Sequence, residues 1–133
     1  MSGQRIVVVE DDPMSQRLMV DLLEATGYAV SVFGDAESGL AAMHAVPPEL
    51  VLMDIRLPGM DGFAALTALR ADAATHDVPI IAVTASVMLG EREKIMAAGF
   101  TGYHPKPIQI SQLLKEIEQT LADAPKHAPK SSA

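Results

Sequence analysis

Short apolar runs alternate along this chain with longer segments in which apolar residues return every third or fourth position. The runs are Ile6 to Val9, Ala29 to Phe33, Leu50 to Met53 and Ile80 to Val83, with a weaker one around Tyr103. In VLM and IIAV the apolar residues are successive, the pattern of a strand buried on both faces of a sheet. Between the runs, Leu18, Leu22 and Leu23; Ala36, Leu40 and Met43; Phe63, Leu66 and Leu69; Ile95 and Ala98; and Leu113, Leu114, Ile117 and Leu121 have helical spacing. Gly27 and Gly99 stand where helices should stop, Ser111 where the last should be capped, and Pro58-Gly59 where the chain should turn. Strand and helix alternating five times predict an α/β fold, a doubly wound parallel sheet with right-handed crossovers and helices on both faces.

A chain of 133 residues with 49% hydrophobic content has the size of one domain with its own core. We assign residues 1–122 to that domain and 123–133, DAPKHAPKSSA, to a disordered tail or the start of a linker, because this stretch has two prolines and no apolar period. A formal net charge of -7, with the ten Lys and Arg scattered, excludes a nucleic-acid-binding stripe. Without cysteine there is no thiolate chemistry, and His44, His76, His104 and His127 lack ligand spacing. The N-terminus does not read as a signal peptide, and no apolar run approaches the roughly 20 residues that span a bilayer. A cytoplasmic protein without membrane insertion is expected.

The chemistry collects where the strands end. In an open parallel sheet, ligands bind outside the carboxyl ends of the strands. The first strand runs into Glu10, Asp11 and Asp12, the third into Asp54, the fourth into Thr84 and Ala85, and the fifth into Lys106. Adjacent carboxylates repel one another and call for a positive charge. Asp12 before Pro13 has a complete structural explanation as a helix cap. Glu10 and Asp11 alone read equally as a solvated loop tip favouring the helix dipole. Thr84 alone reads as a strand-end hydroxyl, Lys106 as a surface charge, Asp61 as a cap and Tyr103 as a half-buried ring. Their shared edge points instead to a site of hard oxygen ligands suited to Mg²⁺ or Mn²⁺. With Asp54 as nucleophile, Thr84 and the Ala85 amide as donors and Lys106 as a counter-charge, the set forms a cradle for a phosphoryl group.

With VVVEDDP, LVLMDIRLPGMDG, IIAVTAS and GYHPKPI in this order, the chain resembles the chemotaxis-regulator-like receiver domain of two-component response regulators from about Arg5 to Leu121. The resemblance implies a flavodoxin-like fold with strand order 2-1-3-4-5, and Asp54 as phosphoacceptor. It also implies Glu10, Asp11 and the Arg56 carbonyl as metal contacts, and Thr84, Lys106 and Tyr103 as switch residues. A cis bond at Lys106-Pro107 and control of hydrolytic water at Arg56 and Ser86 are further implications. Two features depart from common variants: Glu stands first in the acidic pair, and GFTGY lacks the paired acids common before the switch aromatic in winged-helix regulators. Pro105 requires the fifth strand to be an edge.

The expected function is a signalling switch rather than a conventional enzyme. It takes a phosphoryl group from a histidine kinase or histidine phosphotransfer protein onto Asp54, hydrolyses it slowly, and changes its binding to a target through helix 4, strand 5 and helix 5. A phosphatase of haloacid-dehalogenase type is the alternative, although Glu10 occupies the place of that family's first-strand nucleophile. A flavin or nucleotide module would need a phosphate loop where this chain has three acids.

Overall fold

The computed structural model describes residues 3–85 and 90–123. The elements are β1 (Arg5–Val9), α1 (Pro13–Thr26), β2 (Ala29–Phe33), α2 (Ala36–Ala45), β3 (Leu50–Asp54), α3 (Gly62–Ala71), β4 (Ile80–Thr84), α4 (Glu91–Ala98), β5 (Gly102–Pro105) and α5 (Ile110–Asp123). The strands form one parallel sheet in the order β2-β1-β3-β4-β5, as the resemblance implied.

The two-residue period of the strands divides the core. Val7, Val9, Val51, Met53, Ile80 and Ala82 face one way and pack with Met43, Leu66, Leu69 and Ile95 of α2, α3 and α4. Ile6, Val8, Leu50, Leu52, Ile81 and Val83 face the other way and pack with Met19 and Leu23 of α1 and Leu113 and Ile117 of α5. Each of these buried Val, Leu, Ile and Met side chains contributes about 1.5–3 kcal/mol. β3 and β4 are buried at every position, which is why VLM and IIAV show no alternation. β2, at an edge, leaves Val32 37% exposed.

Several local expectations hold. Asp12 caps α1 by accepting from the Ser15 amide, Asp61 caps α3 through the Ala64 amide, and α1 and α4 stop at Gly27 and Gly99 in left-handed backbone with φ of 107° and 115°. Pro105 lies in β5, an edge strand, and the Lys106-Pro107 bond is cis. Three expectations need correction. Ser111 lies inside α5 rather than capping it; the helix starts at Ile110, two residues before the start a Ser111 cap would give, with the Gln109 carbonyl accepting from Leu113. Leu18 is 42% exposed, and the inward stripe of α1 runs through Met19 and Leu23 instead. Ala98 is exposed, so α4 is anchored by Ile95. The tail assigned from residue 123 falls, beyond Asp123 itself, outside the described residues, as does Ser86.

Candidate functional site

At the carboxyl edge of the sheet, the end of β1 leaves Glu10 1% exposed and β3 ends on Asp54 at 6%. Asp11, next in the chain, is exposed. One ligand oxygen from each of Glu10, Asp11 and Asp54 falls within a sphere of mutual distances no greater than 4.8 Å. Lys106 reaches in from the end of β5, its ammonium donating to Glu10 Oε1 at 2.8 Å and Asp54 Oδ2 at 3.3 Å. These contacts span 96 and 52 residues of sequence, so the sheet order alone assembles them.

Backbone amides hold the carboxylates from the other side. The Asp12 amide donates to Glu10 Oε2 and the Arg56 amide to Asp54 Oδ1, each at 3.0 Å. Burial pushes the Glu10 carboxyl above its usual range, more than the hydrogen bonds from Lys106 and the Asp12 amide pull it down, and the charge of Asp54 adds to the upward shift. Burial alone would lower Lys106, but its hydrogen bond to Glu10 and the charges of Asp54 and Glu10 outweigh this and raise it. Three carboxylates thus gather at this edge with one ammonium bonded to two of them, and a hard divalent cation fits the oxygen set.

Thr84 is fully buried at the end of β4, and its carbonyl accepts from the Lys106 amide at 2.8 Å. Ala85 follows it, exposed at the same edge. Tyr103 is half-buried on β5, opposite Ala82, and packs against the core on the α2, α3 and α4 face. Asp12 turns away to its capping bond, so it stands apart from the carboxylate cluster, as its proline neighbour suggested.

Two residues near the site were not singled out in the sequence. Gly62 brings α3 against β3: its amide donates to the Ile55 carbonyl at 2.9 Å, and a Cβ there would lie 2.7 Å from the Asp54 carbonyl oxygen. The Asp61-Gly62 pair carried that signal, but its cap alone explained it. His104, two residues before Lys106, is fully buried; only its place in a strand pointed inward.

A family model for the response regulator receiver domain matches residues 6–118. The chain is a response regulator receiver domain of two-component signalling. It is 36% identical over 122 residues to a polar-differentiation response regulator, DivK, of Brucella ovis, covering 90% of this chain and 97% of the relative. The receiver domain of sensor histidine kinase PA1611 from Pseudomonas aeruginosa, solved with a magnesium ion coordinated in its active-site cleft, superposes with a TM-score of 0.85 at 33% identity, covering 92% of this chain and all of that one. Chemotaxis protein CheY4 of Vibrio cholerae shares the fold, with a TM-score of 0.82 at 24% identity over 89% of this chain and 98% of its own. The phosphatase alternative is not favoured by these likenesses. Among the described residues no helix is long and apolar enough to cross a membrane.

Proposed function

We propose that this receiver is a cytoplasmic phosphorylation switch in which Asp54 accepts a phosphoryl group from a phosphohistidine of a histidine kinase or phosphotransfer protein. The observation that carries the reading is the buried Asp54 carboxylate, held by Lys106 and the Arg56 amide and crowded by Glu10 and Asp11. An Asp54 oxygen attacks phosphorus, the P–O bond forms as the donor's P–N bond breaks, and the imidazole leaves with the electron pair. Lys106 and the donors at Thr84 and the Ala85 amide meet the phosphoryl oxygens. Glu10, Asp11, Asp54 and the Arg56 carbonyl would hold Mg²⁺ or Mn²⁺, which when bound supplies positive charge against those oxygens.

The new group carries a charge of about -2 and strong acceptor oxygens. The Thr84 hydroxyl turns toward it, Tyr103 follows into the space released, and the face made by α4, β5 and α5 changes its affinity for a target protein. Slow hydrolysis of the acyl phosphate resets the switch.

Incubation with acetyl phosphate and Mg²⁺ should add one phosphoryl group, seen by intact mass, that hydroxylamine removes. Asp54→Asn should lose the label. Label persisting on the Asn variant places the nucleophile elsewhere.

A further inference from the structure

We propose that His104 is a proton-sensitive clamp that seats the start of α5 against β5. The ring is 0% exposed and uses both nitrogens. Nδ1 lies 3.1 Å from Glu116 Oε1, in the second turn of α5, and Nε2 lies 3.2 Å from the Gln109 amide nitrogen, whose N–H points at it. A backbone amide can only donate, so Nε2 must carry a lone pair, and Nδ1 must carry the proton that bonds the Glu116 carboxylate. The two contacts fix a neutral imidazole in one tautomer.

Gln109 is the residue before α5, and its carbonyl accepts the Leu113 amide that opens the helix. Its own N–H is therefore among the donors that a helix start leaves for an outside partner. Among the described residues, a buried side chain of β5 supplies that partner, and Glu116 one helical stretch later grips the same ring from the other side.

A second proton on the imidazole would enter at Nε2 and set N–H against N–H. The linker 107–109 must then move away while the Glu116 contact becomes a full ion pair. Proton uptake and release of the α5 start are one event.

The charged groups around the ring are few. From α5 the facing group is Glu116. β4 presents Val83 opposite His104. On β5, Tyr103 packs on the other face, and the Lys106 ammonium is turned to Glu10 and Asp54. α1, on the same face of the sheet, buries Met19 and Leu23. The clamp adjoins the proposed target face but stands without phosphorylation, and its test uses the unphosphorylated chain.

Nitrogen-15 NMR of the full chain should show His104 as the Nδ1–H tautomer at about pH 8. Acidification should shift the Gln109 amide signal and reduce the hydrogen-exchange protection of the first turn of α5 roughly two- to tenfold, the loss of one ordinary hydrogen bond. His104→Leu should abolish the pH dependence, and Glu116→Gln should move the step to lower pH by removing the anion that favours imidazolium. An Nε2–H tautomer, a Gln109 signal indifferent to pH in the wild type, or a step that survives in His104→Leu would each overturn the clamp. If His104→Leu fails to fold, the wild-type tautomer and the displacement in Glu116→Gln still decide it.

Discussion

Two buried polar clusters hang from the same strand end, two residues apart, and they are built on opposite terms. Around Lys106, the carboxylates of Glu10 and Asp54 share a single ammonium, and that of Asp11 lies beside them. Around His104, one carboxylate and one backbone amide match the two ring nitrogens one to one. The first cluster carries surplus negative charge and keeps Glu10 above its ordinary range through burial. The second holds one carboxylate, on the partly exposed Glu116, against a ring whose two nitrogens are both satisfied. Buried polarity by itself therefore does not separate the two clusters; the crowding of buried carboxylates does.

The sharpest way to break the contrast is Lys106→Met. Without the ammonium, Glu10 and Asp54 are left buried against one another, and metal-free stability should fall by about 3 kcal/mol in urea denaturation, the lower end for removing one partner of a buried ion pair. A loss no larger than that of an ordinary surface lysine would mean the pair is not needed for the fold. Nearly as large, Mg²⁺ at a hundred times its dissociation constant should stabilise the wild type by about 2.7 kcal/mol. Asp11→Asn should blunt this response, and an unchanged response would remove Asp11 from the site. Gly62→Ala tests the backbone behind Asp54. Its methyl would meet the backbone of Asp54 and Ile55 at 2.7 and 2.8 Å, so α3 must shift. We expect a cost of about 2 kcal/mol, accompanied by weaker Mg²⁺ stabilisation. Smallest is Glu116→Gln in the balanced cluster, about 1 kcal/mol at neutral pH because a neutral hydrogen bond replaces a charged one. Its Mg²⁺ response should equal that of the wild type.

The comparison also explains what was legible in the sequence. Strand existence followed from apolar runs, but β1, β3 and β4 each extend one residue further, onto Arg5, Asp54 and Thr84, because ladder bonds ignore side-chain polarity. The unbalanced cluster could be anticipated, since parallel strands deliver their last residues to one edge and four of them were chemically conspicuous. The balanced cluster could not. His104 meets Glu116 and Gln109 only after α5 folds back on the sheet, and nothing in GYHPKPI announces that. The misplaced cap at Ser111 has the same origin: with the Gln109 amide taken by the imidazole, the helix starts earlier than a serine cap would allow. Leu18 failed for a simpler reason, as helical spacing admits either Leu18 or Met19 and the sheet contacts choose Met19.

Pro105 has a consequence for how copies of this chain meet. The Lys106 amide bonds across to Thr84, so along this parallel ladder the backbone of Pro105 points to the open side of β5. Proline has no N–H to offer there, and in a strand of four residues, Gly102–Pro105, that removes a donor an incoming strand would need. The sheet is blunted where it would otherwise invite growth. A molecule docking at this border cannot simply add itself as a sixth strand; it has to read side chains. Concentrating the protein therefore brings copies together without offering a full row of donors along this edge.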